Sequence, residues 1–167
     1  RHYESQMTLA FDGKPVVGLE RLYRHTILIE PTMVCAANCR WCLRGLYPFA
    51  TMKKDDITHA TRYIGSKDVR DDLSEILITG GDPMMSLPLL AFTFGELKRN
   101  APNIRTIRVG TRVPFHDPRR INDDMMDIFG RYPEFRFEVG INTCHPIEFW
   151  PESVAALRRL QDGGIRI

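Results

Sequence analysis

The chain reads as an α/β fold built from parallel βα repeats, with four units complete and a fifth begun. Short apolar, β-branched runs alternate with amphipathic stretches, one pair about every thirty residues, which is the length of a βαβ unit. The strand candidates stand too far apart for tight hairpins, so neighbouring strands must run parallel through right-handed crossovers. Each candidate also runs into unusual residues at its C-terminal end, the edge where parallel α/β folds bind ligands.

A polar, irregular opening extends through Lys14-Pro15. The first strand is then His25 to Glu30, and it leads into a cysteine-rich loop. A helix over about 56–64 follows, with Ile57, Ala60 and Ile64 on one face. The second strand is Glu75-Ile76-Leu77-Ile78-Thr79, with a helix from Leu87 to about Arg99. The third is Thr106 to Thr111, and Ile121, Met125 and Ile128 behind it have the i, i+4, i+7 spacing of a helix. The fourth spans Phe135 to Ile141, and its helix carries Val154, Leu157 and Leu160 before Gly163-Gly164. That double glycine reads as a helix stop, and Ile165-Arg166-Ile167 as the start of another strand, so a continuation is expected. The periodicity alone is compatible with a full barrel, a partial barrel or an open sheet.

At 167 residues and 43% hydrophobic content, the chain is long enough for one domain with a real core. No apolar run approaches the roughly 20 residues of a membrane span, and no signal peptide opens the chain. The net charge of +2 comes from interspersed charges rather than a basic stripe, so nucleic acid is not implied. A reducing, cytoplasmic setting is expected.

Cys35, Cys39 and Cys42 form a CxxxCxxC loop directly after the first strand, with Trp41 before the last Cys. Three thiolates on one loop suit three corners of a cubane iron–sulfur cluster, leaving one iron open to a small molecule. Zinc would want a fourth ligand, and neither His59 nor His145 comes paired at zinc spacing. A disulfide framework would show an even set of cysteines spread through a small chain. The fourth cysteine, Cys144, reads as a buried small apolar residue.

The second strand runs into Gly80-Gly81-Asp82-Pro83. The glycines allow close backbone approach to a ligand, and Asp82 offers a carboxylate to an ammonium group; a plain turn is the bland alternative. Arg44, just past the last cluster cysteine, and Arg112, just past the third strand, are the candidates for gripping a carboxylate bidentately. Arg119, Arg120, Arg158 and Arg159 read as solvated. Trp41 covers the cluster, stacks on a flat ring such as adenine, or packs under its loop. Asn142 and His145 close the fourth strand end, where His145 is either a donor to a ligand or a hydrogen-bonded core residue.

With CxxxCxxC after the first strand and Gly80-Gly81-Asp82-Pro83 after the second, the chain resembles the radical S-adenosylmethionine (radical SAM) enzymes. It resembles most the lysine 2,3-aminomutase-like branch, through Cys39-Arg40-Trp41-Cys42-Leu43-Arg44, Leu77 to Pro83, Arg108 to Pro114 with Pro118 to Ile121, and His145-Pro146-Ile147-Glu148. The resemblance implies a [4Fe-4S] cluster on Cys35, Cys39 and Cys42, with SAM bound at the open iron. It implies that the reduced cluster cleaves SAM to methionine and a 5′-deoxyadenosyl radical. SAM would be held by Trp41, Gly80, Gly81, Asp82, Arg112, Asn142 and His145, and Arg44 would take the substrate carboxylate. Pyridoxal phosphate (PLP) would hold the migrating amino group.

The implied architecture is a partial TIM-type (β/α) barrel, ending after about four and a half βα units, with an irregular N-terminal segment over 1–24 and a radical SAM core over 25–167. The implied partners are an amino acid, or an aminoacylated lysine of a protein as in the branch that modifies elongation factor P, together with an external electron donor. A homo-oligomer is compatible; a membrane and nucleic acid are not implied. The chain departs from the family where Gly45-Leu46-Tyr47 replaces a longer basic run, and where the stretch from Asn142 to His145 is shorter. The family's PLP lysine lies in a late glycine-rich segment that has no counterpart before Ile167. The alternatives are a PLP-independent radical SAM mutase or modification enzyme, and a non-catalytic iron–sulfur or zinc-binding module.

Overall fold

The structure is a computed structural model that describes residues 9–21, 23–42 and 50–167. The opening 1–24, expected to be irregular, contains three two-residue strands among its described residues. Strands β1 (Ala10–Phe11) and β2 (Lys14–Pro15) form an antiparallel hairpin. Strand β3 (Leu19–Glu20) pairs antiparallel with β4 (Thr26–Thr32) and adds an edge to the main sheet.

From β4 onward the expected rhythm holds. Strands β5 (Glu75–Gly80), β6 (Thr106–Thr111) and β7 (Arg136–Ile141) follow, and the sheet order is β3-β4-β5-β6-β7. Every pairing from β4 to β7 is parallel. The strands therefore point their C-terminal ends to one edge. The fifth unit is begun as well: Arg166 forms a parallel bridge with Glu138, its carbonyl accepting from the Val139 N–H at 2.7 Å.

The connecting helices are α1 (Lys54–Ile64), α2 (Leu87–Asn100), α3 (Val113–His116), α4 (Asp123–Gly130) and α5 (Pro151–Asp162). Helix α1 starts where Asp56 accepts the Lys53 N–H at 2.9 Å, and it buries Ile57, Ala60 and Ile64 as the spacing predicts. Helix α4 is capped by Asn122, whose side-chain oxygen accepts from Met125 N–H at 3.1 Å. Ile121 is buried but precedes α4, at the end of a 3₁₀ turn over Pro118–Arg120. Helix α5 is rotated from the expected face, since Ser153, Ala156 and Leu160 are buried while Val154 and Leu157 are only partly covered.

Alternation along the strands sorts the two faces of the sheet. Ile27, Ile29, Ile76, Ile78, Ile107, Val109, Phe137 and Val139 join one core with the helices. Burying each such side chain contributes about 1.5–3 kcal/mol. On the opposite face Leu28, Leu77, Arg108 and Glu138 sit side by side in register. There Arg108 donates twice to Glu138, at 2.8 and 3.1 Å, and Arg166 approaches the same carboxylate at 3.5 Å. No described helix is long and apolar enough to cross a membrane.

Candidate active site at the C-terminal edge of the sheet

The cysteine loop begins at a kink. Pairing between β4 and β5 shifts between Ile29 and Thr32, where Pro31 has no N–H for the ladder. The chain leaves β4 beside the glycine turn, so that Gly81 N–H donates to Thr32 O at 2.7 Å and Asp82 N–H to Val34 O at 2.8 Å. This contact explains both glycines. Gly80 has φ +104, and a Cβ on Gly81 would stand 2.5 Å from the Met33 carbonyl carbon and 2.7 Å from Val34 O. The close approach is to β4 at Gly80, whose Cβ would stand 2.9 Å from Thr32 O, and to the start of the cysteine loop at Gly81.

Asp82 is buried and fastens the end of β5 to the end of β6. Its Oδ1 accepts from Met84 N–H at 3.1 Å and from the Thr111 hydroxyl at 2.7 Å, while Oδ2 accepts from Arg112 N–H at 2.8 Å. A carboxylate offers about four acceptor positions, and these bonds use three of them.

Arg112 then reaches over the edge in two directions. Nη1 donates to Cys39 Sγ at 3.2 Å, and Nη2 donates to Glu148 Oε1 at 2.6 Å. The guanidinium carbon lies 6.0 Å from the centre of the Trp41 ring. Burial disfavours the charged guanidinium, but the bonds to Cys39 and Glu148 outweigh it and strengthen its hold on the proton. Burial also pushes Glu148 up, yet the Cys144 N–H at 3.1 Å and Arg112 together bring its carboxyl below the usual range. Cys35 is pushed up, first by burial and then by the charges of Asp82, Cys42 and Cys39.

The sequence-predicted residues are distributed as follows. Cys39 is half-buried against Arg112, whereas Cys35 and Cys42 are exposed. Trp41 is 59% exposed, so it does not pack under its loop. His145 is exposed rather than a core residue, and its Nδ1 accepts from Ile147 N–H at 3.1 Å, capping the 3₁₀ turn over Pro146–Glu148. Cys144 is exposed, which corrects the expectation that it is a buried apolar residue; the shallow loop after β7 gives it no core to enter. Asn142 is exposed at the end of β7. Arg44 lies outside the described residues. Arg120 and Arg159, expected to be merely solvated, form surface ion pairs with Asp117 and Asp123.

Sequence reasoning missed the site roles of Glu148, Thr111 and His116. Glu148 sits in the last stretch that carries the resemblance, and an acidic residue there facing Arg112 was the available signal. Burial and the Arg112 charge push His116 down, against the pull of Asp82 and Glu148, which places it beside this ionic cluster.

Among the described residues no three His, Cys, Asp or Glu side chains converge as a single-ion metal site. Three thiolates that ligate three different irons of a cubane need not meet at one point. The donor set fits such a cluster: three thiols on one loop, close enough to feel one another's charge, with a guanidinium N–H already on one sulfur. No lysine takes part in any hydrogen bond or ion pair with the described site residues.

Residues 29–166 match the radical SAM superfamily. Among curated proteins, the chain is similar to the L-lysine 2,3-aminomutase of Methanococcus maripaludis, with 30% identity over 98% of this chain and 38% of the relative. It is similar to that of Bacillus subtilis, with 31% identity over 93% of this chain and 33% of the relative. It is also similar to that of Acetoanaerobium sticklandii, with 34% identity over 92% of this chain and 37% of the relative. The chain thus spans between a third and two fifths of the length of these relatives.

Proposed function

The chain belongs to the radical SAM superfamily, and from that premise we propose that it is the cluster- and SAM-binding part of an aminomutase that moves an amino group between adjacent carbons of an amino acid. Cys35, Cys39 and Cys42 would hold a [4Fe-4S] cluster. When bound, the cluster and SAM supply one-electron cleavage to a hydrogen-abstracting 5′-deoxyadenosyl radical. The observation that carries the reading is the joining of the cysteine loop to the Gly80-Gly81-Asp82 turn at the C-terminal edge of a parallel sheet.

Within that reading the chain's own groups divide the work. The glycine turn holds the start of the cysteine loop in place, and its carbonyls with the Asp82 carboxylate would meet the ammonium of SAM. The remaining N–H groups of Arg112 suit a carboxylate, Trp41 offers an exposed aromatic face, and Asn142 and His145 add polar contacts from the end of β7. Arg44 would take the substrate carboxylate. PLP enters through the resemblance, and in this reading the substrate is an amino acid or an aminoacylated lysine of a protein. An external electron donor and a reducing, cytoplasmic setting belong to the same proposal, and a homo-oligomer is compatible with it. The parallel order β4-β5-β6-β7 supports reading the chain as part of a TIM-type barrel, with 25–167 as its core and 1–24 as a preceding segment.

The test is anaerobic reconstitution, with iron and sulfide, of the full-length protein that carries this segment, then incubation with SAM, dithionite, PLP and a panel of amino acids. Formation of 5′-deoxyadenosine together with a β-amino acid is expected. Deoxyadenosine without any β-amino product refutes the aminomutase. No deoxyadenosine at full cluster content refutes the radical chemistry itself.

A further inference from the structure

Arg112 is tied down at every level that the site offers. Its backbone N–H is held by Asp82 at 2.8 Å, one arm of its fork by Glu148 at 2.6 Å, and the other arm donates to Cys39 Sγ at 3.2 Å. Glu148 is itself fixed by the Cys144 N–H at 3.1 Å. The Arg112 side chain is only 15% exposed. Among the described residues its Nε–H is buried without a partner, which leaves a donor for a cofactor carboxylate even after the fork is committed.

The three cysteines are not equivalent in this arrangement. Cys35 and Cys42 are exposed, whereas Cys39 is half-buried and receives the guanidinium N–H. Solvent therefore screens the contact at Cys39 less than it would at either neighbour. Adding an electron to an iron–sulfur cluster increases the negative charge on its sulfurs, so a cation and an N–H donor on one sulfur stabilise the reduced form more than the oxidised form. Hydrogen bonds to sulfur, local charge and solvent exposure are the levers that set such potentials.

We infer that Arg112 is a positioning residue that donates an N–H···S hydrogen bond to the Cys39 thiolate of the bound cluster and raises its reduction potential, with Glu148 holding the fork on target. This rests on the reading of Cys39 as a cluster ligand. It gives Arg112 a task distinct from contact with SAM, one that operates when no SAM is present.

The experiment is an EPR-monitored redox titration without SAM, on reconstituted protein and on the Arg112→Met and Arg112→Lys variants, with iron and sulfide measured in each. The Met variant should keep its iron and sulfide, and its midpoint should move to more negative potential. The Lys variant, which keeps the cation but not the fork, should fall between the two. A parallel measurement needs no folded Met variant: protein labelled with ¹⁵N-arginine should show a ¹⁵N coupling to the reduced cluster in pulsed EPR, and Arg112→Lys should lose it. An unchanged midpoint in a fully loaded Met variant, or a ¹⁵N coupling that is absent or survives in Arg112→Lys, overturns the inference. If the unmodified protein assembles no cluster, the proposed function falls and takes this inference with it, a result separable from a loaded cluster with an unmoved potential.

Discussion

Gly81→Ala tests the joint between the glycine turn and the cysteine loop. A Cβ at this position would stand 2.5 Å from the Met33 carbonyl carbon, 2.7 Å from Val34 O and 2.8 Å from Met33 Cα, all of them backbone atoms that no rotamer change can move aside. Ordinary contacts of this kind are 3.4–4 Å, so the two segments must separate by about 1 Å. That movement stretches the two bonds between them, Gly81 N–H to Thr32 O at 2.7 Å and Asp82 N–H to Val34 O at 2.8 Å. Overpacking costs about 1–3 kcal/mol, and each of the two strained hydrogen bonds adds up to about 1 kcal/mol, so the expected loss is about 1–5 kcal/mol. Urea unfolding reads it directly, and reconstitution should also yield less iron per chain because the loop start is displaced. Gly130→Ala is the control, since nothing lies within 4 Å of the added methyl and the change is expected to be neutral or slightly stabilising. A Gly81→Ala protein with the unfolding midpoint and iron content of the parent would refute the claim that this contact positions the loop.

Replacing Cys35, Cys39 or Cys42 by Ser should each abolish most reconstituted iron absorbance, while Cys144→Ser should leave it intact; equal loss in all four would break the assignment of ligands. Asp82→Asn turns an amide NH₂ toward the Arg112 N–H and removes a charge that accepts three hydrogen bonds, so chemical denaturation should show about 2–4 kcal/mol less stability. Glu138 is held below the usual carboxylate range, first by its hydrogen bond from Arg108, against an opposing push from burial. As pH falls the unfolded chain therefore takes up this proton first. The stabilisation is complete above the unfolded value of about 4.3 and is lost as pH drops through the lower folded value. Glu138→Gln should flatten that part of the stability–pH curve, and an unchanged acid limb would show that the Arg108 pair contributes nothing.

The elements that were legible in the sequence are those long enough to show a period. β4 to β7 and the helices α1 and α2 carry several apolar residues at spacing 2 or 3.6, and the structure places them within a few residues of the expected bounds; α4 and α5 stand where the spacing predicts helices, but Ile121 precedes α4 and α5 buries a different face. Strand β3 escapes because two residues cannot display an alternation, and its pairing with β4 is fixed by tertiary contact. Helix α3 escapes because Pro114 reads as a breaker, although at the start of a helix a missing N–H costs nothing. In the site, the cysteines and the glycine turn were legible because their residue types are unusual at a strand end. Glu148 was not, because an exposed-looking Glu acquires its role only when β7 brings it beside an Arg from the neighbouring strand. For the same reason the packing role of the glycines is not legible in the sequence, because the atoms nearest their missing Cβ come from β4 and the loop after it.

The bonds at this edge form a closed circuit, and that has a measurable consequence. β4 is linked to β5 through Val34 O and Asp82 N–H, β5 to β6 through Asp82 with Thr111 and Arg112, β6 to the β7 end through Arg112 and Glu148, and β6 back to the cysteine loop through Arg112 and Cys39. Asp82 and Glu148 do not bond each other, yet each holds a different part of the same arginine. If Arg112 transmits force between them, loss of one holder makes the other worth less. The double variant Asp82→Asn with Glu148→Gln should then cost less than the sum of the single variants, by about 0.5–2 kcal/mol, which is the range found for residues sharing one hydrogen-bond network. The same cycle built on an Arg112→Met background should lose that coupling, because the shared partner is gone. Additivity within about 0.3–0.5 kcal/mol in the parent background would mean that the two carboxylates act independently, and that the guanidinium between them carries no strain from one strand end to the next.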